Sequence, residues 1–449
     1  AKRRLAKRKG QEKARAWPSD FVRWLKSMSN EFPQMFRVRQ RLDATPPVDV
    51  AASVVDGFSL ICGQLKQGMR IGVGVGSRGI SNLAEAVAAV IGELKKAGTE
   101  PFIIPAMGSH GGATPDGQLA VLEGYGVTEA TMGVPICPSM EVESLGQSDD
   151  GREVLWSREA MSADGIIVIN RVKPHTSFSK PVGSGLTKML VVGLGKHAGA
   201  SAYHAAALRL GYGEVLTRMA KVVLDRAPVL GGVALIENGE HATALVESLA
   251  ADTITQREPE LCAEAAAMMP SLPFEEIDLL IVDQIGKNIS GTGMDTNTIG
   301  RCGSGYRLVP DAEVAKPFIW RIFVRSLTPE SCGNAIGIGL AEATTERLLA
   351  DIDTDALHTN SITSRSVLSA KLPMAFDTDA AAVQAMLASL PDDDPAKVRV
   401  VRIRDTLSLG LLEVSAALSA EVEVHPALHP LSKDEPMQFD DSGNLAVLD

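Results

Sequence analysis

Cysteine, aromatic residues and long apolar runs are all scarce in this chain of 449 residues. The five cysteines are widely scattered and form no C-x-x-C pair, which argues against a disulfide framework and a cysteine metal site. No apolar run reaches about 18 residues, so no membrane span is expected. Aromatic residues make up 4% of the chain, a weak argument against a large aromatic pocket. With 45% hydrophobic and 22% charged residues, the composition indicates a soluble globular protein, and we expect it in the cytoplasm.

The net charge of -11 is unevenly distributed. The first 41 residues carry 13 Lys/Arg against 3 Asp/Glu, and the remainder is strongly acidic. We interpret residues 1–35 as a basic, disordered extension without the apolar core of a secretory signal. Such an extension could touch an anionic surface, but nucleic acid binding is not expected. The acidic tail from Ser432 is predicted to be loosely packed.

Apolar strand-like segments alternate with amphipathic helical segments along most of the chain. This alternation predicts an α/β protein with a largely parallel sheet. The length indicates more than one core. We therefore predict an N-terminal α/β catalytic and cofactor-binding domain at residues 36–272. A C-terminal α/β domain at 273–449 would close an interdomain active-site cleft.

A glycine-rich loop, GVGSRG at 74–79, follows a predicted strand and precedes a predicted helix. Backbone N–H groups in such a loop can bind phosphate, so Gly76, Ser77 and Gly79 are candidate cofactor-binding residues. Arg78 suits a bidentate contact with phosphate or carboxylate. A dinucleotide site and a plain tight turn are the alternatives, because this motif alone is weakly specific.

Two histidines follow predicted strands. His110 lies in MGSHGGATPDG, and His175 lies in KPHTSF. Histidine transfers protons near neutral pH, and two imidazoles at one sheet edge could act on opposite faces of a substrate. Inverting a stereocentre requires that arrangement. The alternative is a pair of unrelated surface histidines.

The glycine-rich stretch 170–204 also holds a lysine and a further histidine of interest. Lys188, in GSGLTKML, could be a partly buried nucleophile or attachment point. His204 lies 16 residues later in a predicted helix and could bind nickel, copper or zinc. His197 competes for the metal role, and a structural role is the alternative for each.

Gln284 and Lys287 form a Q-x-x-K pair where the first strand of the predicted C-terminal domain ends. Residues at this position can reach into an interdomain cleft and contact a carboxylate or another oxygen. Taken alone, the pair is barely more specific than chance.

The ordered set of these motifs resembles the nickel-pincer lactate racemase family. In chain order these motifs are an arginine in a loop after a strand, a histidine in a second loop, and a Pro-His pair after a strand. They are followed by Gly-x-x-Lys, by a histidine 16 residues after that lysine, and by Gln-x-x-Lys. The resemblance spans roughly residues 40–300. This chain departs from the family in two ways. The loop between His175 and Lys188 is longer, and Gly-Leu-Thr-Lys replaces the usual Gly-Gly-x-Lys. Lys180 is consequently a rival for the role of Lys188.

The resemblance implies a 2-hydroxy-acid racemase or epimerase carrying pyridinium-3,5-bisthiocarboxylic acid mononucleotide, the nickel-pincer nucleotide. By this resemblance Lys188 tethers the cofactor and His204 binds nickel. His110 and His175 act as acid and base, Arg78 contacts the cofactor or substrate, and Gln284 and Lys287 hold the substrate. Enzymes that make the cofactor and insert nickel are the implied partners. The alternatives are a nicotinamide-linked oxidoreductase using GVGSRG and a non-enzymatic nucleotide-binding protein.

Overall fold

The computed structural model describes residues 31–77, 79–175, 183–301, 317–392 and 394–448. Its helices are α1 (Val50–Gly57), α2 (Ser59–Cys62), α3 (Leu83–Lys96), α4 (Pro115–Gly124), α5 (Glu129–Met132), α6 (Arg158–Met161), α7 (Leu186–Lys188), α8 (Lys196–Leu210), α9 (Tyr212–Arg226), α10 (Ile254–Met268), α11 (Glu346–Asp351), α12 (Thr354–Ser364), α13 (Asp379–Leu387) and α14 (Ser419–Val424).

The strands are β1 (Gln34–Gln40), β2 (Arg70–Val75), β3 (Glu100–Pro105), β4 (Val142–Gln147), β5 (Glu153–Ser157), β6 (Gly165–Arg171), β7 (Val229–Glu237), β8 (Thr243–Ala250), β9 (Glu276–Ile285), β10 (Phe318–Leu327), β11 (Ala343–Thr345), β12 (Met374–Phe376), β13 (Val400–Ile403), β14 (Leu411–Ser415), β15 (Leu428–Pro430) and β16 (Glu435–Pro436). Among the described residues, no helix is both long and apolar enough to cross a membrane.

The first sheet, sheet I, has the strand order β3-β2-β6-β7-β8, and only β8 runs antiparallel. The central strands β2 and β6 are buried nearly throughout, because helices cover both faces of the sheet. The order in which strands are added to the sheet reverses at β2. The next strand, β3, lies on one side of β2, and β6 lies on the other. Such a switch point opens a crevice at the carboxyl ends of the strands, where ligands bind in open α/β sheets.

The second sheet, sheet II, is mixed. Strands β12, β11, β10, β9 and β13 run parallel in that order, and β14, β1 and β15 complete the main path in antiparallel pairing. A second switch point lies between β9 and β13. The α/β class predicted from the sequence is therefore confirmed, with two sheets that each contain parallel strands.

Strand β1 precedes every strand of sheet I in the chain, yet it pairs with β14, β15 and β16 in sheet II. The predicted N-terminal domain at residues 36–272 includes most of this strand. Its alternating apolar residues identify it as a strand, but alternation cannot identify its partner. The boundary at residue 273 stays a prediction, whereas β1 belongs to the sheet built by the C-terminal residues.

The end of the acidic tail is packed, contrary to the loose packing expected from Ser432 onward. Leu445 is 5% exposed and Leu448 is 2% exposed. The buried side chains of Arg325 and Arg402 donate to the backbone carbonyls of Leu445 and Ala446. Asp283 accepts from the Leu448 N–H at 3.0 Å. Arginine donors and a carboxylate acceptor thus satisfy the tail backbone, which allows its leucines to enter the core.

We predict that Leu448→Ala lowers the free energy of unfolding by about 3 kcal/mol, because the substitution leaves a cavity at a fully buried site. Urea denaturation followed by circular dichroism measures the change. Val447→Ala is the matched control, since Val447 is 55% exposed and its truncation should change stability by no more than about 0.5 kcal/mol. Equal effects of the two substitutions would show that the tail is not anchored as described.

Candidate functional site

The loops that follow β2, β3 and β6 meet at the switch point of sheet I. The side chain of Asn170 contacts the loop after β2 and the segment after β6. Its side-chain Nδ2 donates to the carbonyl of Gly185 at 3.2 Å and to that of Arg171 at 3.0 Å. A Cβ on Gly76 would lie only 2.4 Å from Asn170 Oδ1. Glycine at residue 76 is therefore explained by the approach of Asn170, not only by a ligand.

Backbone donors of the glycine-rich loop are already engaged by protein groups. The Gly79 N–H donates to the Tyr125 hydroxyl at 2.8 Å, and the Ser81 N–H donates to Glu237 at 2.8 Å. The Gly76 N–H donates to the carbonyl of Ile169 at 3.2 Å. A dinucleotide loop instead directs such donors at phosphate. This geometry does not favour the dinucleotide alternative.

His110 follows β3 and faces the glycine-rich loop. Its Nδ1 lies 2.7 Å from the Ser77 hydroxyl oxygen. The loop carrying it is fixed by the Gly108 N–H, which donates to the carbonyl of Gly193 at 3.1 Å, and by Gln118, which donates to the carbonyl of Gly108 at 3.0 Å. The two predicted site residues Ser77 and His110 are thus in contact, and the hydroxyl holds one ring nitrogen of the imidazole.

His175 and His204 are brought together around the ring of Tyr212. The His175 ring stacks on Tyr212 at 6.4 Å between centroids, with 22° between the planes. The His204 ring meets the same tyrosine at 6.1 Å and 68°. Both histidines are half-buried, whereas His197, the rival for the metal role, is exposed. The two residues lie two turns apart on nearly the same face of α8, and the metal role of His204 stays a prediction.

Lys188 ends the single turn α7 and leads directly into a π-helical turn at Met189–Gly193. Turns of this kind are rare and occur often at functional sites. The Trp156 indole donates to the carbonyl of Leu190 at 2.7 Å, and the Ser157 N–H donates to that of Leu194 at 2.8 Å. The hairpin β4–β5 therefore supports the backbone that carries half-buried Lys188. Arg78 and Lys180 lie outside the described residues.

Glu258, on α10, was not anticipated from the sequence. Its fully buried carboxylate accepts from the Thr187 N–H at 2.9 Å and from the Thr187 hydroxyl. A Cβ on Gly185 would lie 1.9 Å from Glu258 Oε1, so only glycine fits there. Burial raises the pKa of Glu258 to about 7, and the hydrogen bonds from Thr187 oppose the shift. An isolated glutamate in a helical segment gives no sequence signal for such a contact.

Lys196 is a second buried ionisable group near the site. It is fully buried, its backbone has a positive φ of 53°, and its ammonium donates to the carbonyl of Pro105 at 2.7 Å. Burial lowers the pKa of Lys196 to about 8. Pro105 ends the edge strand β3, so Lys196 ties the start of α8 to the strand that leads to His110. An unusual backbone angle together with a buried amine marks a position that the surrounding structure imposes.

Gln284 and Lys287 lie at the carboxyl end of β9, at the switch point of sheet II. Both side chains are half-buried. The Lys287 ammonium donates to the carbonyl of Gly291 at 2.8 Å, and its N–H donates to the Ser331 hydroxyl at 2.9 Å. The structure therefore places this pair on the second sheet, apart in the fold from the elements that carry the histidines. Their substrate role stays a prediction.

The carboxyl ends of both sheets contribute to one cleft. Arg171 and Lys173 line it from sheet I, and Asp295 and Thr406 line it from sheet II. Lys173 reaches Asp295 across the cleft at 3.5 Å. Burial lowers the pKa of Lys173, and the Asp295 carboxylate opposes this shift. Lys173 precedes His175 by two residues, so the ion pair connects the loop that carries His175 to the second sheet.

Residues 76–211 match the family described as the lactate racemase N-terminal domain. Over these residues the chain is similar to lactate racemases. The matched range includes His110, His175, Lys188 and His204, and excludes the pair at Gln284 and Lys287. The family resemblance predicted from the order of motifs is thereby confirmed.

Two solved structures are similar to the chain. A crystal structure of a protein from Thermotoga maritima shares 12% identity at a TM-score of 0.48, covering 74% of this chain and 84% of that one. The lactate racemase apoprotein from Thermoanaerobacterium thermosaccharolyticum also shares 12% identity at a TM-score of 0.48, covering 83% of this chain and 93% of that one. No curated protein sequence matches the chain.

We predict that the buried carboxyl group of Glu258 makes the free energy of unfolding decrease as the pH rises. Its pKa moves from 4.5 to about 7 on folding, so the folded protein binds more protons between these values and loses stability as they leave. Glu258→Gln removes this dependence. Between pH 4 and 8 the stability of wild type relative to Glu258→Gln should fall by up to about 3 kcal/mol.

Urea denaturation across that pH range measures the difference. Glu260→Gln on the same helix is the control, because Glu260 is exposed and should not change the pH dependence. Parallel stability curves for wild type and Glu258→Gln would contradict the burial of an ionisable carboxyl beneath the Lys188 turn.

Proposed function

We propose that the protein is a racemase or epimerase of a 2-hydroxy acid that uses a lysine-tethered nickel-pincer nucleotide. The observation that carries the proposal is the placement of His175 and His204 on one tyrosine ring at a switch point. Both histidines lie within the range that matches the lactate racemase N-terminal domain. His110 lies on the neighbouring strand end. These residues come from three separate parts of the chain, which the fold brings to one edge of sheet I.

The described residues fit a cofactor that brings its own metal ligands. No group of three His, Cys, Asp or Glu side chains close enough to hold a metal occurs among them. His204 would supply one ligand to nickel, and the nucleotide would supply the others. Lys188, on its supported turn, would hold the nucleotide covalently. When bound, the cofactor would supply a hydride acceptor and donor for the substrate Cα.

The protein manages the proton on the substrate hydroxyl. One imidazole would accept that proton as the hydroxy acid is oxidised, and the 2-keto acid would remain in the site. The second imidazole would return a proton to the carbonyl oxygen when the opposite stereoisomer forms. The contact between Ser77 and His110 and the stacking of His175 on Tyr212 orient the two rings for this exchange.

Gln284 and Lys287 would bind the substrate carboxylate from the second sheet, together with Arg78. Lys287 now donates to the carbonyl of Gly291, so its ammonium would add or exchange one hydrogen bond when substrate enters. The carboxyl ends of the two sheets share a cleft, and closure of that cleft would exclude water. Enzymes that make the cofactor and insert nickel are the partners this function requires. No comparable arrangement of the described residues supports the nicotinamide-linked oxidoreductase or the non-enzymatic nucleotide-binding protein.

We predict that co-expression with the cofactor-making enzymes yields a covalent adduct on Lys188 and about one nickel per chain. Intact and peptide mass spectrometry locate the adduct, and elemental analysis counts the metal. Lys188→Ala should lack the adduct, whereas Lys180→Ala should keep it. His204→Ala should keep the adduct and lose nickel. An adduct on Lys180, or an unmodified chain after co-expression, would rule out the proposed tether.

We predict that His110→Ala and His175→Ala each reduce racemisation by about 10² to 10⁴-fold without unfolding the protein, because each removes a proton-transfer group. Chiral chromatography over a panel of 2-hydroxy acids measures the activity. The exposed His197→Ala is the matched control and should retain wild-type turnover. Normal turnover in either site variant would eliminate the two-base mechanism. Calorimetric binding of NAD would instead support the oxidoreductase alternative.

A further inference from the structure

We propose that Tyr212 is a positioning residue of this site, whose ring sets the orientations of the His175 and His204 imidazoles relative to each other. The inference rests on the proposed function only in taking His175 as an acid/base residue and His204 as the metal ligand. The geometry on which it depends is independent of any cofactor. Tyr212 follows the lysine and histidine motifs in the chain and belongs to none of them.

The Tyr212 ring contacts the two imidazoles in different ways. His175 stacks nearly parallel to it, at 6.4 Å and 22°, and His204 approaches it edgewise, at 6.1 Å and 68°. Both arrangements belong to the favourable geometries for aromatic pairs at these separations. The Tyr212 ring therefore holds one imidazole nearly parallel to itself and the other nearly perpendicular to itself. Together the two contacts determine how the imidazoles face each other.

The Tyr212 ring is itself held firmly. The residue is 4% exposed, and its backbone carbonyl accepts from the Tyr203 hydroxyl at 3.0 Å. Gly211, with φ of 90°, makes the turn that starts α9 at Tyr212. The Tyr203 ring lies 5.3 Å from His204 at 63°. Two anchored tyrosines thus enclose the imidazole of His204, and only one of them also reaches His175.

Tyrosine is rare in this chain, and its placement is concentrated. The chain contains four tyrosines. Tyr203 and Tyr212 enclose the histidines, and Tyr125 accepts from the Gly79 N–H at 2.8 Å in the neighbouring loop. Tyr306 lies outside the described residues. The three tyrosines that the structure describes therefore all support one edge of sheet I.

An error of about 1 Å in the placement of reacting groups can cost about 100-fold in rate. If the Tyr212 ring acts as the spacer, Tyr212→Phe should preserve both imidazole orientations, whereas Tyr212→Leu should release them. Loss of the Tyr212 ring should lower kcat more than it changes KM, because the ring orients reacting groups without binding the substrate carboxylate.

The first experiment measures the geometry in the full chain without cofactor, with tyrosine and histidine selectively labelled for NMR. Nuclear Overhauser effects are expected between the Tyr212 ring protons and both the His175 and His204 imidazoles. Tyr212→Phe should keep them, and Tyr212→Leu should shift the Cε1–H resonances of both histidines. Absence of these effects in wild type overturns the proposal, even if Tyr212→Leu fails to fold.

The second experiment measures racemisation by the cofactor-loaded protein. Tyr212→Leu should lower kcat by about 100-fold with KM within about threefold of wild type, and Tyr212→Phe should rescue most of the loss. Phe323→Leu, which truncates a fully buried ring in sheet II, controls for general destabilisation.

The two experiments separate the proposals. A wild-type chain that never racemises refutes the proposed function, while the NMR result still decides the role of Tyr212. Wild-type kcat in Tyr212→Leu, or an equal loss in Tyr212→Phe, overturns the positioning role and leaves the racemase intact.

Discussion

The side-chain amide of Asn170 is the constraint on which the site depends. Asn170 is the penultimate residue of the buried strand β6, is 5% exposed, and donates to the carbonyls of Arg171 and Gly185. Its oxygen lies against Gly76, so a larger residue in the glycine-rich loop would displace it. One amide thereby sets the separation between the loop after β2 and the turn that leads to Lys188. The turn at Gly185 cannot move away without breaking the hydrogen bond from Asn170. The loop after β2 is held to the same strand by the hydrogen bond from the Gly76 N–H to the carbonyl of Ile169.

The topology explains why residues so distant in sequence meet. Each sheet has a switch point, where strands to either side send their loops in opposite directions and leave a crevice. Ser77, His110 and His175 follow strands at the crevice of sheet I, and Gln284 follows a strand at that of sheet II. Lys173 and Asp295 connect the two sheets across the shared cleft. The rigid strands thus fix where each loop begins, and short contacts between loops determine which side chains lie close together.

Buried ionisable groups support this arrangement at an energetic cost. Glu258 and Lys196 are each fully buried, and burial moves both pKa values toward neutrality. Neither group gains from a close counter-ion as much as it loses by desolvation, so such residues are weak sources of stability. Their hydrogen bonds instead hold specific backbone segments, the turn before Lys188 and the end of β3. A site whose reacting groups must be held closely gains from these fixed segments.

The sequence by itself determined the α/β class, because buried parallel strands appear as apolar runs separated by helical periodicity. It also indicated the similarity to lactate racemases, because the order and spacing of the motifs are local properties of the chain. Only the tertiary structure decided the partner of β1, the exposure of His197, and the contacts of Glu258 with Thr187 and of Tyr212 with His175. These depend on which helix face turns inward and on which distant segments pack together. A strand carries its burial pattern in its own residues, but a contact between residues far apart in the chain exists only after both have been placed.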